Sequence, residues 1–206
     1  MHMQATFVPI LLIVLGLAFS SCQSTGETSS TPEAASAPDS VYLAKGQQIA
    51  ASTFQSLSGQ LQQAMKAGGV QEAVSVCQLA ANPIVDSLSQ VHQAEIRRTA
   101  LRVRNPKNAA NDAEQAILQD YQSALEEKTA PKPKLVDLGN GQVAFYAPII
   151  AADLCLKCHG IVGETIQEQD YAHIQALYPE DQAIGFQAGD LRGIWSIRMA
   201  NSTVSD

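Results

Sequence analysis

Residues 154–160 have the sequence LCLKCHG, in which Cys155 and Cys158 are three positions apart and His159 follows directly. In c-type haem attachment, two thiols at this spacing form thioethers with the porphyrin, and the adjacent histidine coordinates the iron. The motif occurs once and therefore predicts one covalently bound haem c. A thioredoxin-like dithiol would be expected near a βαβ pattern, and a zinc site would need two further ligands, for which no second paired motif exists.

The composition limits the classes of partner. The chain has 206 residues, a formal net charge of −7 and a pI near 5.0, and its Lys and Arg residues are scattered. This length favours one domain with appendages. An acidic chain without a basic cluster has no general attraction to phosphate backbones, so nucleic acid is not an expected partner.

The N-terminus predicts export. Residues 7–19 form the apolar run FVPILLIVLGLAF, and two serines then precede Cys22. This pattern is similar to a bacterial lipoprotein signal, which predicts a signal peptide over 1–21, lipidation of Cys22 and a membrane anchor on the periplasmic face. An uncleaved N-terminal anchor or an ordinary signal cut nearby is the alternative. The Ser/Thr/Ala/Pro-rich residues 22–40 predict a flexible tether, and 41–206 the folded domain.

Cys77 is the cysteine that these assignments leave over. Four cysteines are present, of which Cys22 is assigned to lipid and Cys155 and Cys158 to the haem motif. A single thiol in an oxidising compartment can be buried and inert, ligate a metal, or pair with Cys22 if lipidation fails. The residues around Cys77 leave these three possibilities open.

The N-terminal half of the domain predicts helices. Apolar residues in 41–67 recur at helical spacing, and Gly68-Gly69 ends that helix. A second helix is predicted over 70–90, with Cys77 on its apolar stripe and with Pro83 kinking or splitting it.

The next segment concentrates positive charge. Residues 94–108, AEIRRTALRVRNPKN, contain four arginines in an acidic protein, and the alternation over 100–104 predicts a strand that ends at the Asn105-Pro106 turn. Guanidinium groups suit haem propionates, although a solvated basic edge is the simpler interpretation. The candidate propionate contacts are Arg97, Arg98, Arg102 and Arg104.

The C-terminal half predicts a mixture of elements around the motif. A helix over 111–128 is followed by a hairpin of strands 135–138 and 143–150, with its turn at 139–141. After the motif, the pattern predicts a helix over 164–178, a loop over 185–193 and a closing strand over 194–199. The predicted class is α+β, with N-terminal helices packed on an antiparallel sheet.

Four segments together carry a family resemblance. They are AVSVCQLAA around Cys77, RRTALRVRNPKNAAND over 97–112, CLKCHG at the motif and YPEDQAIGFQAGDLRGIWSI over 178–197. Over about residues 57–199 the chain resembles bacterial c-type haem proteins that carry one haem on a PAS-like α+β domain. The resemblance implies a six-coordinate haem whose iron is bound by His159 on one side and by Cys77 on the other.

This ligand pair carries a functional expectation. An anionic thiolate stabilises ferric iron, so the resemblance implies a low reduction potential and a haem-based redox or gas sensor that acts through an unidentified protein partner. The rival hypothesis is a periplasmic electron-transfer cytochrome. A peroxidase is more distant, and no enzymatic activity is expected. Met199, His173 and His92 remain alternative distal ligands.

Overall fold

The computed structural model describes residues 37–139 and 141–201. The predicted signal peptide, the lipidated Cys22 and most of the predicted tether lie outside these residues. No helix in the described part of the chain is long and apolar enough to cross a bilayer. The elements, in chain order, are α1 (Ala37–His92), β1 (Ala94–Thr99), a 3-10 turn (Pro106–Asn108), α2 (Asp112–Glu126), β2 (Lys134–Gly139), β3 (Gln142–Ile150), α3 (Asp153–His159), α4 (Glu168–Leu177) and β4 (Leu191–Ala200).

Helix α1 consists of two limbs joined at Gly68 and Gly69. Gly69 has φ +68° and ψ −153°, a conformation that only glycine adopts readily, so the predicted break is confirmed. The limbs fold back on each other. This is shown by the distance of 3.1 Å between Ser52 Oγ and His92 Nε2, which are forty residues apart in the chain. Pro83 does not split the second limb, where the backbone stays helical. The core contacts of Val85 hold this limb in place.

The four strands form one antiparallel sheet in the order β1-β4-β3-β2. The predicted hairpin is therefore confirmed as β2 and β3, and the closing strand as β4. Because side chains alternate between the two faces of a strand, β3 and β4 each contribute to two cores. The α1 face of the sheet carries Ile96, Phe145, Ile197 and Met199, which pack on Ile49 and Val85. The α2 face carries Ala144, Tyr146 and Ile194, which pack on Leu118 and Tyr121.

Two predicted elements differ from the observed ones, and one observed helix was not predicted. The strand expected over 100–104 lies earlier, at Ala94–Thr99, because Ala100 leaves the sheet and bridges to Ala109 of the following loop. The helix expected over 164–178 begins only at Glu168, since Ile161 accepts turn hydrogen bonds from residues 164–166. Helix α3, which carries the CxxCH motif, was not predicted because seven residues are too few to show a helical period.

Gly46 brings α1 close to the sheet. A Cβ atom at this position would overlap the ring of Phe145, which is fully buried. We expect Gly46→Ala to lower the free energy of unfolding by about 1–3 kcal/mol, because the ring and the helix must move apart. Urea denaturation measures this change. Gly59→Ala is the matched control, since nothing lies within 4 Å of its added methyl group. The free energy of unfolding of that variant should rise by about 0.5–1 kcal/mol, and equal effects of the two variants would contradict the packing explanation.

Candidate cofactor site

A cavity of about 280 Å³ opens between α1, the sheet and α3. Its wall is mainly apolar, with a small set of polar and charged groups, as is usual for cofactor sites. The apolar part includes Phe54, Leu57, Leu61, Val74, Ile149, Leu154 and Trp195. The chemically distinctive part consists of Cys77, Arg98, Arg104, Cys155, Cys158, His159, Tyr178 and Arg192.

His159 is held by its ring nitrogen Nδ1. This atom lies 2.7 Å from the carbonyl oxygen of Ala183, and a carbonyl can only accept a hydrogen bond. Nδ1 therefore carries the proton, and Nε2 of the neutral ring keeps its lone pair for a metal. The edge of the ring also contacts Phe186, with the ring centres 6.4 Å apart.

The surroundings of His159 favour the neutral ring. Burial lowers the pKa of His159 well below its usual range, and the guanidinium groups of Arg192 and Arg104 lower it further. The hydrogen bond to Ala183 opposes this effect without cancelling it. Part of the ring faces the open cavity, while protein surrounds it on its other sides. At neutral pH the imidazole is therefore uncharged, which is the form that binds iron.

Cys77 lies on the cavity wall, although its helical stripe also allowed a packed core position. Its side chain is exposed because it faces the open cavity. The surrounding protein nevertheless desolvates the thiol, and burial raises the pKa of Cys77, while Arg98 and Arg104 act in the opposite direction. Cys77 comes from the second limb of α1, so it and His159 reach the cavity from different elements.

The two motif cysteines are half-buried free thiols on the same wall. Burial raises the pKa of Cys158 to about 11, although Arg104 acts to lower it. Cys77 adds a smaller upward shift to the pKa of Cys158, because one thiolate disfavours a second one nearby. Among the described residues, no three His, Cys, Asp or Glu side chains meet in an arrangement that holds a metal ion.

The four predicted arginines separate into two pairs. Arg98 and Arg104 line the cavity, whereas Arg97 and Arg102 do not. Arg97 extends from the opposite face of β1, where its Nε lies 3.5 Å from the fully buried carboxylate of Glu114. Neighbouring strand residues point to opposite faces, so only one of Arg97 and Arg98 can reach the cavity. Arg102 stacks on Phe186 at 3.8 Å from the ring centre.

The sequence did not single out Arg192, which also lines the cavity. Its Nε is buried without a hydrogen-bond partner, and burial lowers the pKa of its guanidinium to about 10. Arg192 lies where the register between β3 and β4 shifts, next to Gly193. A shifted register breaks simple alternation, so no sequence pattern indicated the direction of this side chain.

The alternative distal ligands lie away from the cavity wall. Met199 is buried in the core between α1 and the sheet. Nε2 of His92 lies 3.1 Å from Ser52 Oγ, and Nε2 of His173 lies 3.1 Å from Ser75 Oγ. Cys77 is therefore the one predicted distal-ligand candidate that the described residues bring to the cavity.

The fold and the cavity define a class of protein. It is a small α+β domain in which a CxxCH motif, a separate cysteine and several arginines meet in one apolar cavity. This arrangement suits a flat, largely apolar group with anionic substituents, because Arg192 Nε is buried without a partner and Arg98 has no ion pair among the described residues.

The comparisons with known proteins agree with this class. Residues 33–200 match the model of the Tll0287-like family, so the chain belongs to that family. The structure also matches the solved cyanobacterial heme-protein Tll0287, with a TM-score of 0.54 and 21% sequence identity, over 76% of this chain and 94% of that chain. No curated protein matches. The family resemblance and the α+β class with an antiparallel sheet are thereby confirmed.

Proposed function

We propose that this chain is an exported protein that binds one covalent haem c in the cavity and acts as a haem-based redox or gas sensor. The observation that carries the proposal is the convergence of Cys77, the CxxCH pair and His159 on one cavity wall. Membership of the Tll0287-like family and the likeness to a solved haem protein support the haem.

The motif residues have separate tasks. The thiols of Cys155 and Cys158 would form the thioethers, and Nε2 of His159 would bind the iron. Bound haem supplies an iron that changes oxidation state and takes small axial ligands. The apolar wall would shield the bound group from water, and the Ala183 carbonyl fixes the tautomer of His159.

Cys77 is the proposed second iron ligand. A thiol must lose its proton to bind iron, and the guanidinium groups of Arg98 and Arg104 favour the anionic form against the effect of burial. An anionic ligand favours ferric iron and a potential below that of a His/Met cytochrome. Cys77 would hold the ferric form of the bound group, and a contact that depends on oxidation state in this way is what a sensor requires.

Arg98 and Arg192 are the proposed propionate partners. Arg104 is already paired, since its Nη2 lies 2.9 Å from Asp181 Oδ2. Arg98 has no carboxylate partner among the described residues, and Arg192 Nε has no hydrogen-bond partner there. Each guanidinium can satisfy a propionate with two parallel hydrogen bonds.

We expect Arg98→Gln to lower the midpoint potential of the haem protein by tens of millivolts, an order-of-magnitude value for removing one partly screened charge near the iron. Loss of a cation makes ferric iron relatively more stable, which fixes the direction of the change. Redox titration followed by visible absorption measures it. Arg97→Gln is the matched control, because it removes the same charge from the opposite face of β1. Equal shifts in the two variants would contradict the assignment of Arg98.

The N-terminal sequence supports the proposed location. A lipid on Cys22 would hold the domain at the periplasmic face of a bacterial membrane, with residues 22–40 as a tether. The domain would pass its signal to a separate protein. That protein would also donate electrons to the haem or accept them from it.

Two measurements on the holoprotein test this proposal. Intact mass and a haem stain after denaturing electrophoresis should show one haem per chain, and their failure would end the haem assignment. The midpoint potential then separates the roles. A value well below those of His/Met cytochromes supports the sensor, whereas a high potential with fast electron exchange with a soluble cytochrome would favour the electron-transfer alternative.

A further inference from the structure

Asp181 is a buried carboxylate beside the proposed iron ligand, in the segment between α4 and β4. Its side chain is 1% exposed and that of Arg104 is 10% exposed. Oδ2 of Asp181 accepts a hydrogen bond from Arg104 Nε at 3.0 Å, and Arg104 Nη2 lies 2.9 Å from the same oxygen as an ion pair. Oδ1 accepts a second hydrogen bond, from the backbone N–H of Ala183 at 2.8 Å.

Arg104 connects this segment to the motif helix. Besides pairing with Asp181, its Nη2 donates a hydrogen bond to the carbonyl oxygen of Cys158 at 2.6 Å. A backbone hydrogen bond from Gln182 to Val103, 2.9 Å long, lies alongside. One guanidinium therefore joins the residue before His159 to the carboxylate that holds Ala183.

These contacts meet at the ring of His159. Asp181 accepts a hydrogen bond from the backbone N–H of Ala183. The carbonyl oxygen of Ala183 in turn accepts a hydrogen bond from Nδ1 of His159 at 2.7 Å. Ala183 itself is fully buried. Partners of this kind orient metal-binding histidines and tune how strongly they donate to the metal.

We propose that Arg104 and Asp181 are positioning residues, which act together through Ala183 to set the orientation of the His159 ring for iron ligation. The inference rests on the proposed haem function and deepens it. It also assigns Arg104 a different task from the propionate contact predicted from the sequence.

The competing explanation is that this buried ion pair only stabilises the fold. The chain provides a matched control for that explanation in Arg97 and Glu114, on the opposite face of the sheet. Their Nε and Oε1 atoms are 3.5 Å apart, and the Glu114 side chain is 0% exposed. Glu114→Gln therefore removes a buried paired carboxylate that has no hydrogen bond to the cavity residues.

The test compares the wild-type holoprotein with Asp181→Glu, Asp181→Ala and Glu114→Gln by ferric electron paramagnetic resonance and redox titration. We expect both Asp181 variants to shift the g values and the midpoint potential, because the longer glutamate cannot make the same short hydrogen bond to Ala183. Since Asp181→Glu keeps the negative charge, its shift reports geometry. Glu114→Gln should lose thermal stability and keep wild-type spectra.

The outcomes of this comparison separate the possibilities. Wild-type spectra in both Asp181 variants would overturn the inference and leave the haem assignment intact. Equal spectral shifts in Glu114→Gln would mean that a general loss of stability causes the effect, and would also overturn the inference. If the Asp181 variants do not fold, Arg104→Lys supplies the same test, because it keeps the charge and loses the two-nitrogen contact. A wild-type protein without haem would instead end the proposed function itself.

Discussion

Replacing Cys77 with serine is expected to abolish the thiolate character of the ferric haem spectrum and to raise the midpoint potential. A serine hydroxyl stays protonated near neutral pH and binds ferric iron weakly, so the variant loses the anionic ligand. Axial ligands move haem potentials over a range of about 0.8 V, which makes this one of the largest single-residue effects available. Visible absorption, electron paramagnetic resonance and redox titration of purified holoprotein measure it.

The controls for this variant come from the same cavity and from the excluded ligands. Ser58→Ala changes another cavity-lining residue of α1 and should leave the spectra as they are. Met199→Leu, His173→Asn and His92→Asn should do the same, because these side chains lie away from the cavity. If Cys77→Ser has wild-type spectra and one of the other three variants does not, the distal ligand has been wrongly assigned.

The second large effect concerns the attachment of the haem. We expect that no haem stays attached to the double variant Cys155→Ser, Cys158→Ser after denaturation, because serine does not form a thioether. Each single variant keeps one thioether and part of the stain. Intact mass spectrometry gives the number of haems per chain independently of the stain.

Cys77→Ser is the control for this experiment, since a coordinate bond to iron does not survive denaturation and does not attach the haem. That variant should therefore keep the full covalent haem mass. Covalent haem in the double variant, or its loss in Cys77→Ser, would contradict the division of tasks among the three cysteines.

Local chemistry explains which elements could be predicted. Gly68-Gly69 ended a helix because Gly69 has backbone angles that only glycine adopts readily, and the repeated apolar spacing on either side indicated both limbs. The Gly139–Gly141 region and its alternating flanks indicated the β2–β3 hairpin. The strand near the arginines was misplaced, because Ala100 pairs with Ala109 and no local pattern reveals that long-range choice.

The residues of the candidate site also differ in whether the sequence could predict their roles. The CxxCH spacing fixes the relative positions of three groups within seven residues, so their chemistry was evident from the sequence. The role of Cys77 as a ligand could be predicted only from the family resemblance, because its helical stripe by itself favoured a packed core residue. Arg192 and Asp181 carried no signal, since their importance comes from neighbours such as His159 and Arg104 that are distant in the chain.

The attachment motif, the helical and hairpin segments and the α+β class could be predicted from the amino-acid sequence, because each depends on the spacing of residues that are close in the chain. The three-dimensional packing was needed to show which cysteine and which arginines share a cavity with His159. The sheet separates Arg98 from Arg97, and the packing of α1 on that sheet brings Cys77 to the motif. Such choices depend on contacts between residues far apart in the chain, which no local pattern encodes.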